Sequence, residues 1–271
     1  MMMQRRISRA GVVAAFGWLA FPAALADAAE LKAHRAVYTL EMTENSPTSR
    51  FASVAGGVRT SLERTCDGWI SAEEIRMTVF TQVGGEINQK IEVTGWESSD
   101  GLMYRFATRS RTAGDSLDVR GIARLGADGA SGDITYQLPR PETVELFADA
   151  RFPIGHVEWV IDQALAGRKQ AEAIVFDGSD DGGPERVVAF VGAPFAAGGQ
   201  GGVKLATSLE RPGWSMRFAA FPADGHQLEP SYEFEAKVLD NGILAEALLD
   251  FDDFKVLQKL TRIEAVADPQ C

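Results

Sequence analysis

The chain has 271 residues, 45% of them hydrophobic, with 38 acids against 27 Lys and Arg and a net charge of −11. That is enough apolar material for one large core, and an acidic surface without basic blocks excludes nucleic acid and anionic lipid surfaces as partners. Two cysteines and three histidines leave a thin inventory for metal or thiol chemistry.

The first segment, MMMQRRISRA, carries Arg5, Arg6 and Arg9 and no acid; the apolar run GVVAAFGWLAF follows, and Ala24 and Ala26 stand at small-residue positions before a cut. The run is shorter than the roughly 18 residues a membrane span needs. Residues 1–26 are therefore expected to be a cleaved signal peptide and residues 27–271 one exported domain that does not span a membrane. Removing three arginines and no acid takes the charge from −11 to −14.

After the leader, most segments alternate with a period of two. AHRAVYTLEM, VRTSLERTC after Gly56-Gly57, EEIRMTVFTQ, INQKIEVTGWES, LMYRFATRSRT, DSLDVRGIARL and SGDITYQL are separated by turn signals such as GG, SSDG, AGDS and GADGASGD. This pattern predicts an antiparallel meander with one face buried. PIGHVEWVIDQALAGRK breaks it: Ile154, Val157, Val160, Ile161, Ala164 and Leu165 recur at three and four, Pro153 stands at the start and Gly167 after the end. A single helix between two runs of strands is expected to plug or cover an open sheet. Strands resume with EAIVFDG, ERVVAFVG, VKLATSLE, WSMRFAAF, YEFEAKVL, ILAEALLDF and FKVLQKLTRIEAV, and the DNG at 240–242 marks a hairpin. The expectation is an all-β, mainly antiparallel domain of a dozen or more strands with one main helix.

Chemistry-bearing motifs are sparse. His34, His156 and His226 have no second ligand at metal spacing, and neither HEXXH nor GXSXG occurs. No catalytic residue, cofactor site or metal site is expected. In DGSDDGG, Asp177, Ser179 and Asp181 alternate as in a calcium loop, but Val188 occupies the twelfth position and strands flank it, so a hairpin turn is the reading. GGQGG at 198–202 lacks the lysine and helix of a phosphate loop. Of the paired acids, Asp252-Asp253 begins a turn, whereas Glu73-Glu74 lies on a strand and points to both faces. Phe147, Phe152 and Trp159, around the helix entrance, are expected in the core.

Export places Cys66, in ERTCDGW, and Cys271, at the end of ADPQC, in an oxidising compartment, where they form a candidate disulfide; a free or intermolecular thiol is the alternative. An intramolecular bond would bring the last strand beside the early ones, so that the two ends of a long curled sheet overlap.

Taken in order, these residues resemble one family. AHRAVYTLEM just after the leader, CDGW at Cys66, the P-x-x-H element Pro153–His156 opening the helix, FDGSDDG, NG followed by LLDFDDF, and a terminal cysteine are similar to the EipB family of periplasmic cell-envelope integrity proteins, from about residue 32 to 271. The turn after LLDF departs locally, carrying Asp252-Asp253 where a glycine is expected nearby. The resemblance implies a long antiparallel sheet curled into an overlapping, incompletely closed barrel (a β-spiral) with a helix against it. It also implies a Cys66–Cys271 disulfide, a periplasmic location, a role in stress resistance, and a periplasmic tetratricopeptide-repeat partner. A monomer without cofactor is expected. The function it implies is non-enzymatic maintenance of the envelope by binding another protein or a cell-wall component. The alternatives are a carrier of a lipid or other apolar ligand inside the barrel, as the similar shape of lipoprotein carriers suggests, and, more weakly, an envelope hydrolase.

Overall fold

The structure is a computed structural model that describes residues 29–198, 209–223, 225 and 227–271. The expected leader, the strand VKLATSLE except its last two residues, all but Gly198 of GGQGG, and His226 lie outside the described residues.

Apart from VKLATSLE, the segments read as alternating form strands. In chain order these are β1 His34–Asn45, β2 Phe51–Arg64, β3 Gly68–Thr81, β4 Glu86–Ser98, β5 Met103–Thr112, β6 Asp115–Arg124, β7 Gly132–Leu138 and β8 Glu142–Leu146. Helix α1, Pro153–Leu165, follows, and then β9 Gln170–Val175, β10 Glu185–Phe195, β11 Gly213–Pro222, β12 Tyr232–Leu239, β13 Leu244–Asp250 and β14 Phe254–Ala265. β8 was not anticipated, because Pro139 and Pro141 stand just before it and proline reads as a strand breaker. Gly56 and Gly57, read as a turn before a strand, lie inside β2. A Cβ at Gly56 would stand 2.3 Å from the Arg76 carbonyl oxygen, so close strand approach is what glycine permits there.

Among the described residues fourteen strands form one antiparallel sheet in the order β8-β7-β6-β5-β4-β3-β2-β1-β14-β13-β12-β11-β10-β9. The sheet is curled and not closed. This order corrects one expectation. The first and last strands pair at its middle, His34 opposite Ala265 through Asn45 opposite Phe254, and the free edges are β8 and β9. The chain ends therefore do not overlap as the ends of the curl. The two edges are joined by the segment that carries α1, and a single parallel bridge between Arg151 and Val175 bonds that segment to β9.

Alternate residues of each strand line the inside. Ala36, Tyr38 and Leu40 of β1 face inward with Val54 and Val58 of β2 and Val256 and Leu260 of β14, and these pack into one buried cluster. At the seam, Phe176 just beyond β9 lies against Phe106 of β5 at 5.0 Å between ring centroids, and Tyr104 Oη donates to the Asp177 carbonyl at 3.0 Å. The β9 edge is thus tucked over the inner face of the opposite end of the sheet, the overlap of a spiral.

Candidate functional site

Cys66 sits in the β2–β3 hairpin turn and Cys271 follows β14; they are joined by a disulfide with Cα atoms 5.7 Å apart across 205 residues. Both cysteines are exposed. The tail reaches Cys66 because β14 runs beside β1, and Val266 N–H still donates to the Ala33 carbonyl at 3.0 Å. The bond fastens the β2–β3 turn to the end of β14 across β1, in the middle of the sheet, and it does not touch β8 or β9.

Helix α1 closes one end of the interior. Its apolar face reads straight from the three-four spacing: Ile154 and Ile161 pack with Trp69 of β3, while Val160 and Ala164 pack on β9 to β12. Phe152, the N-cap, is buried against Tyr104 at 5.4 Å and has no side chain that caps. The cap comes from across the barrel. Glu97 of β4, 3% exposed, accepts hydrogen bonds from Ile154 N–H at 2.9 Å and Gly155 N–H at 2.8 Å. A carboxylate on otherwise unsatisfied helix amides is the favourable sign at a helix N-terminus. Burial nevertheless wins, pushing Glu97 up to about 7 against the pull of those two bonds. One turn along, His156 is half-buried between Trp159 and Phe218, its Nε2 out of solvent and without a hydrogen-bond partner. Burial, and then the charge of Arg151, lower it to about 4. Arg151 itself lies 4.6 Å over the Trp159 ring.

Beyond the helix the inner face of β2 to β6 is incompletely filled. Two successive rows cross it by register. Thr60, Glu73 and Val93 form one, and Val58, Ile75, Ile91, Ser110 and Leu117 the next. Except for Val58 these residues are only partly buried, although their faces are those of the core residues Val58 and Val79. The rows keep a partly exposed, mostly aliphatic inward surface. On this face Glu73 has no hydrogen-bond or ion-pair partner among the described residues, and burial raises its pKa. Directly opposite, Thr60 Oγ1 is buried beside the Tyr38 hydroxyl. The outward neighbour Glu74 is the contrast: it meets Arg76 at 2.8 Å, Lys90 at 3.7 Å and Arg59 at 3.8 Å. The division of the Glu73-Glu74 pair between faces was legible from alternation. Glu97 was missed, yet it has a signal: it stands at the inward parity of Ile91 and Val93.

The remaining sequence candidates are structural. The 177–183 segment joins β9 to β10, with Ser179 N–H donating to Asp177 Oδ1 at 2.9 Å and Gly182 N–H to Asp180 Oδ1 at 2.7 Å. It borders a seam groove of about 560 Å³ that also includes Glu145, Phe147 and Tyr232. Phe147 is 41% exposed there, against the expectation of a core position: it is the first residue beyond the free edge strand β8 and nothing covers it. Trp159 is half-buried under Arg151. His34 is buried, Nδ1 2.7 Å from the Lys32 carbonyl. Among the described residues no group of three or more His, Cys, Asp or Glu could hold a metal ion, and no helix is long and apolar enough to cross a membrane.

Residues 25–267 match the profile of a family described as EipB-like. The chain is 27% identical over 258 residues to the cell envelope integrity protein EipB of Brucella abortus, covering 92% of this chain and 90% of that protein. Its fold is similar to the crystal structure of a beta-barrel-like protein of a domain of unknown function from Brucella abortus, with a TM-score of 0.77 and 24% identity over 89% of this chain and 100% of that one.

Proposed function

The chain belongs to the EipB-like family, and on that premise we propose that it is a non-enzymatic periplasmic protein, exported by a signal peptide over residues 1–26, that maintains cell-envelope integrity by binding another envelope component. The relative named for envelope integrity, aligned along nearly the whole chain, carries this reading. A tetratricopeptide-repeat protein of the periplasm is the partner the resemblance proposes. In a strain lacking the chain, growth on detergent and on a cell-wall antibiotic should fail and return when the exported protein is restored. Unchanged growth of the deletion strain on both sinks the proposal.

The incompletely buried inward face favours a second reading, transport or retention of an apolar ligand. The partly exposed inward side chains of Ile75, Ile91, Val93 and Leu117 offer aliphatic surface that water leaves at a gain of about 25 cal/mol per Å². Native mass spectrometry of protein purified from the periplasm should show an added small-molecule mass, released on unfolding. A bare polypeptide mass in gentle preparations counts against it.

A further inference from the structure

The outer face of β2 to β5 carries a trough that runs across the strands. Its floor is one register row of small side chains: Ser61, Ala72, Thr94 and Ala107 stand opposite one another in turn. Arg35 of β1 precedes Ser61 and Arg120 of β6 follows Ala107, so the row spans five strand spacings, about 24 Å. The rows on either side are bulkier. One is charged: Arg59, Glu74, Glu92, Arg109 and Asp118, with Glu74 3.8 Å from Arg59 and Asp118 3.4 Å from Arg109. The other is Ile70, Trp96, Arg105 and Ile122. Ile70 is 42% exposed, and the exposed Arg105 side chain lies 5.1 Å over the Trp96 ring. Two grooves result, of about 560 Å³ and about 460 Å³, which meet at Thr94. On a chain of net charge −11, the second groove holds Arg105 and Arg120 and no acid. Neither arginine meets a carboxylate among the described residues. Strands β2 to β5 each have a neighbour on both sides, so an extended peptide crossing them finds no main-chain partner, which only a free edge offers. A sugar ring has an apolar face and a rim of hydroxyls. An aromatic ring beside ionised side chains meets both, and the two arginines add a place for a carboxylate. The net negative charge disfavours a dense polyanion.

Resting on the reading that the chain binds an envelope component, we propose that the trough binds an acidic glycan chain, in which carboxylate-bearing rings are set apart by neutral ones. One ring stacks on Trp96 as Arg105 swings off the indole, and Arg105 and Arg120 then hold a carboxylate. The test uses the full exported, disulfide-bonded protein and calorimetric titration at neutral pH. The probes are a hyaluronan hexasaccharide, whose carboxylate sugars alternate with N-acetylated ones, the neutral chitohexaose, and a hexaglutamate peptide. Wild type should bind the hyaluronan fragment about tenfold tighter than chitohexaose, with the peptide weakest. Trp96→Ala should weaken both saccharides about tenfold. Arg105→Gln combined with Arg120→Gln should bring the two saccharides to similar affinity; chitohexaose binding retained in that variant reports an intact trough. Ala107→Tyr, which raises the floor on the outer face, should abolish binding of both at an unchanged melting temperature. Equal affinities for the two saccharides in wild type, or a preference that survives the double arginine variant, overturn the proposal. Tightest binding of the peptide overturns it in favour of an acidic protein segment. Binding of none of the three probes also overturns it, while the deletion-strain test still decides the envelope reading independently.

Discussion

Glu97 and His156 lie within one turn of the same helix start and titrate against each other. Glu97 is raised from 4.5 to about 7, so its native form holds a proton that the unfolded chain loses between those values; this contribution to stability is present below pH 4.5 and is lost as the pH rises through 7. His156 is lowered from 6.5 to about 4, so its contribution is present above 6.5 and is lost as the pH falls through 4. Each spans about 3 kcal/mol as an upper figure, in opposite directions over nearly the same interval. Stability between pH 7 and 4.5 should therefore be flat in wild type so far as these two groups decide it. Chemical denaturation at stepped pH should show Glu97→Gln losing stability on acidification and His156→Phe gaining it. Parallel profiles for the two variants would remove this account. Glu97 could be recognised as inward by its parity. Its bond to a helix 57 residues away could not, because alternation gives a face and no partner.

At the level of elements, α1 and the residues flanking it hold the two edges of the sheet together. Ile161, fully buried in the helix, should cost about 2–4 kcal/mol when truncated to alanine. Hydrogen exchange should then quicken first in β8, β9 and the 147–152 connection. Uniform acceleration over all strands would show that the helix is not the clasp. Gly178 tests the other side of the seam. Its φ is +68°, and a Cβ there would stand 2.6 Å from the Phe106 ring, so Gly178→Ala should cost about 2 kcal/mol or more, read by urea denaturation. Strands were legible because half-buried antiparallel sheet writes a period of two into the sequence, and α1 because its apolar stripe is complete. β8 was hidden behind Pro139 and Pro141, and the identity of the edges was hidden altogether. Edge position is a matter of long-range pairing, fixed here by β1 meeting β14.

For the whole molecule, the disulfide acts through the unfolded chain. Closing a loop of 205 residues is worth about 5 kcal/mol at most by chain entropy, and native cases run about 2–5 kcal/mol. Cys66→Ser should lower the melting temperature by roughly 5–15 °C, with new exchange confined to β14 and the β2–β3 hairpin and the β8–β9 seam unchanged. Loss of protection at the seam first would show that the bond, and not the helix, keeps the curl wound. The pairing of β1 with β14 has a further consequence, for biogenesis. A chain emerging N-terminus first presents β1 with one side paired to β2 and the other bare until its final strand arrives. The ladder that completes the sheet joins residues as distant as His34 and Ala265, which makes it the slowest to form. Until that ladder forms, an open strand edge is exposed to aggregation and to proteases; a holding chaperone would find its target there.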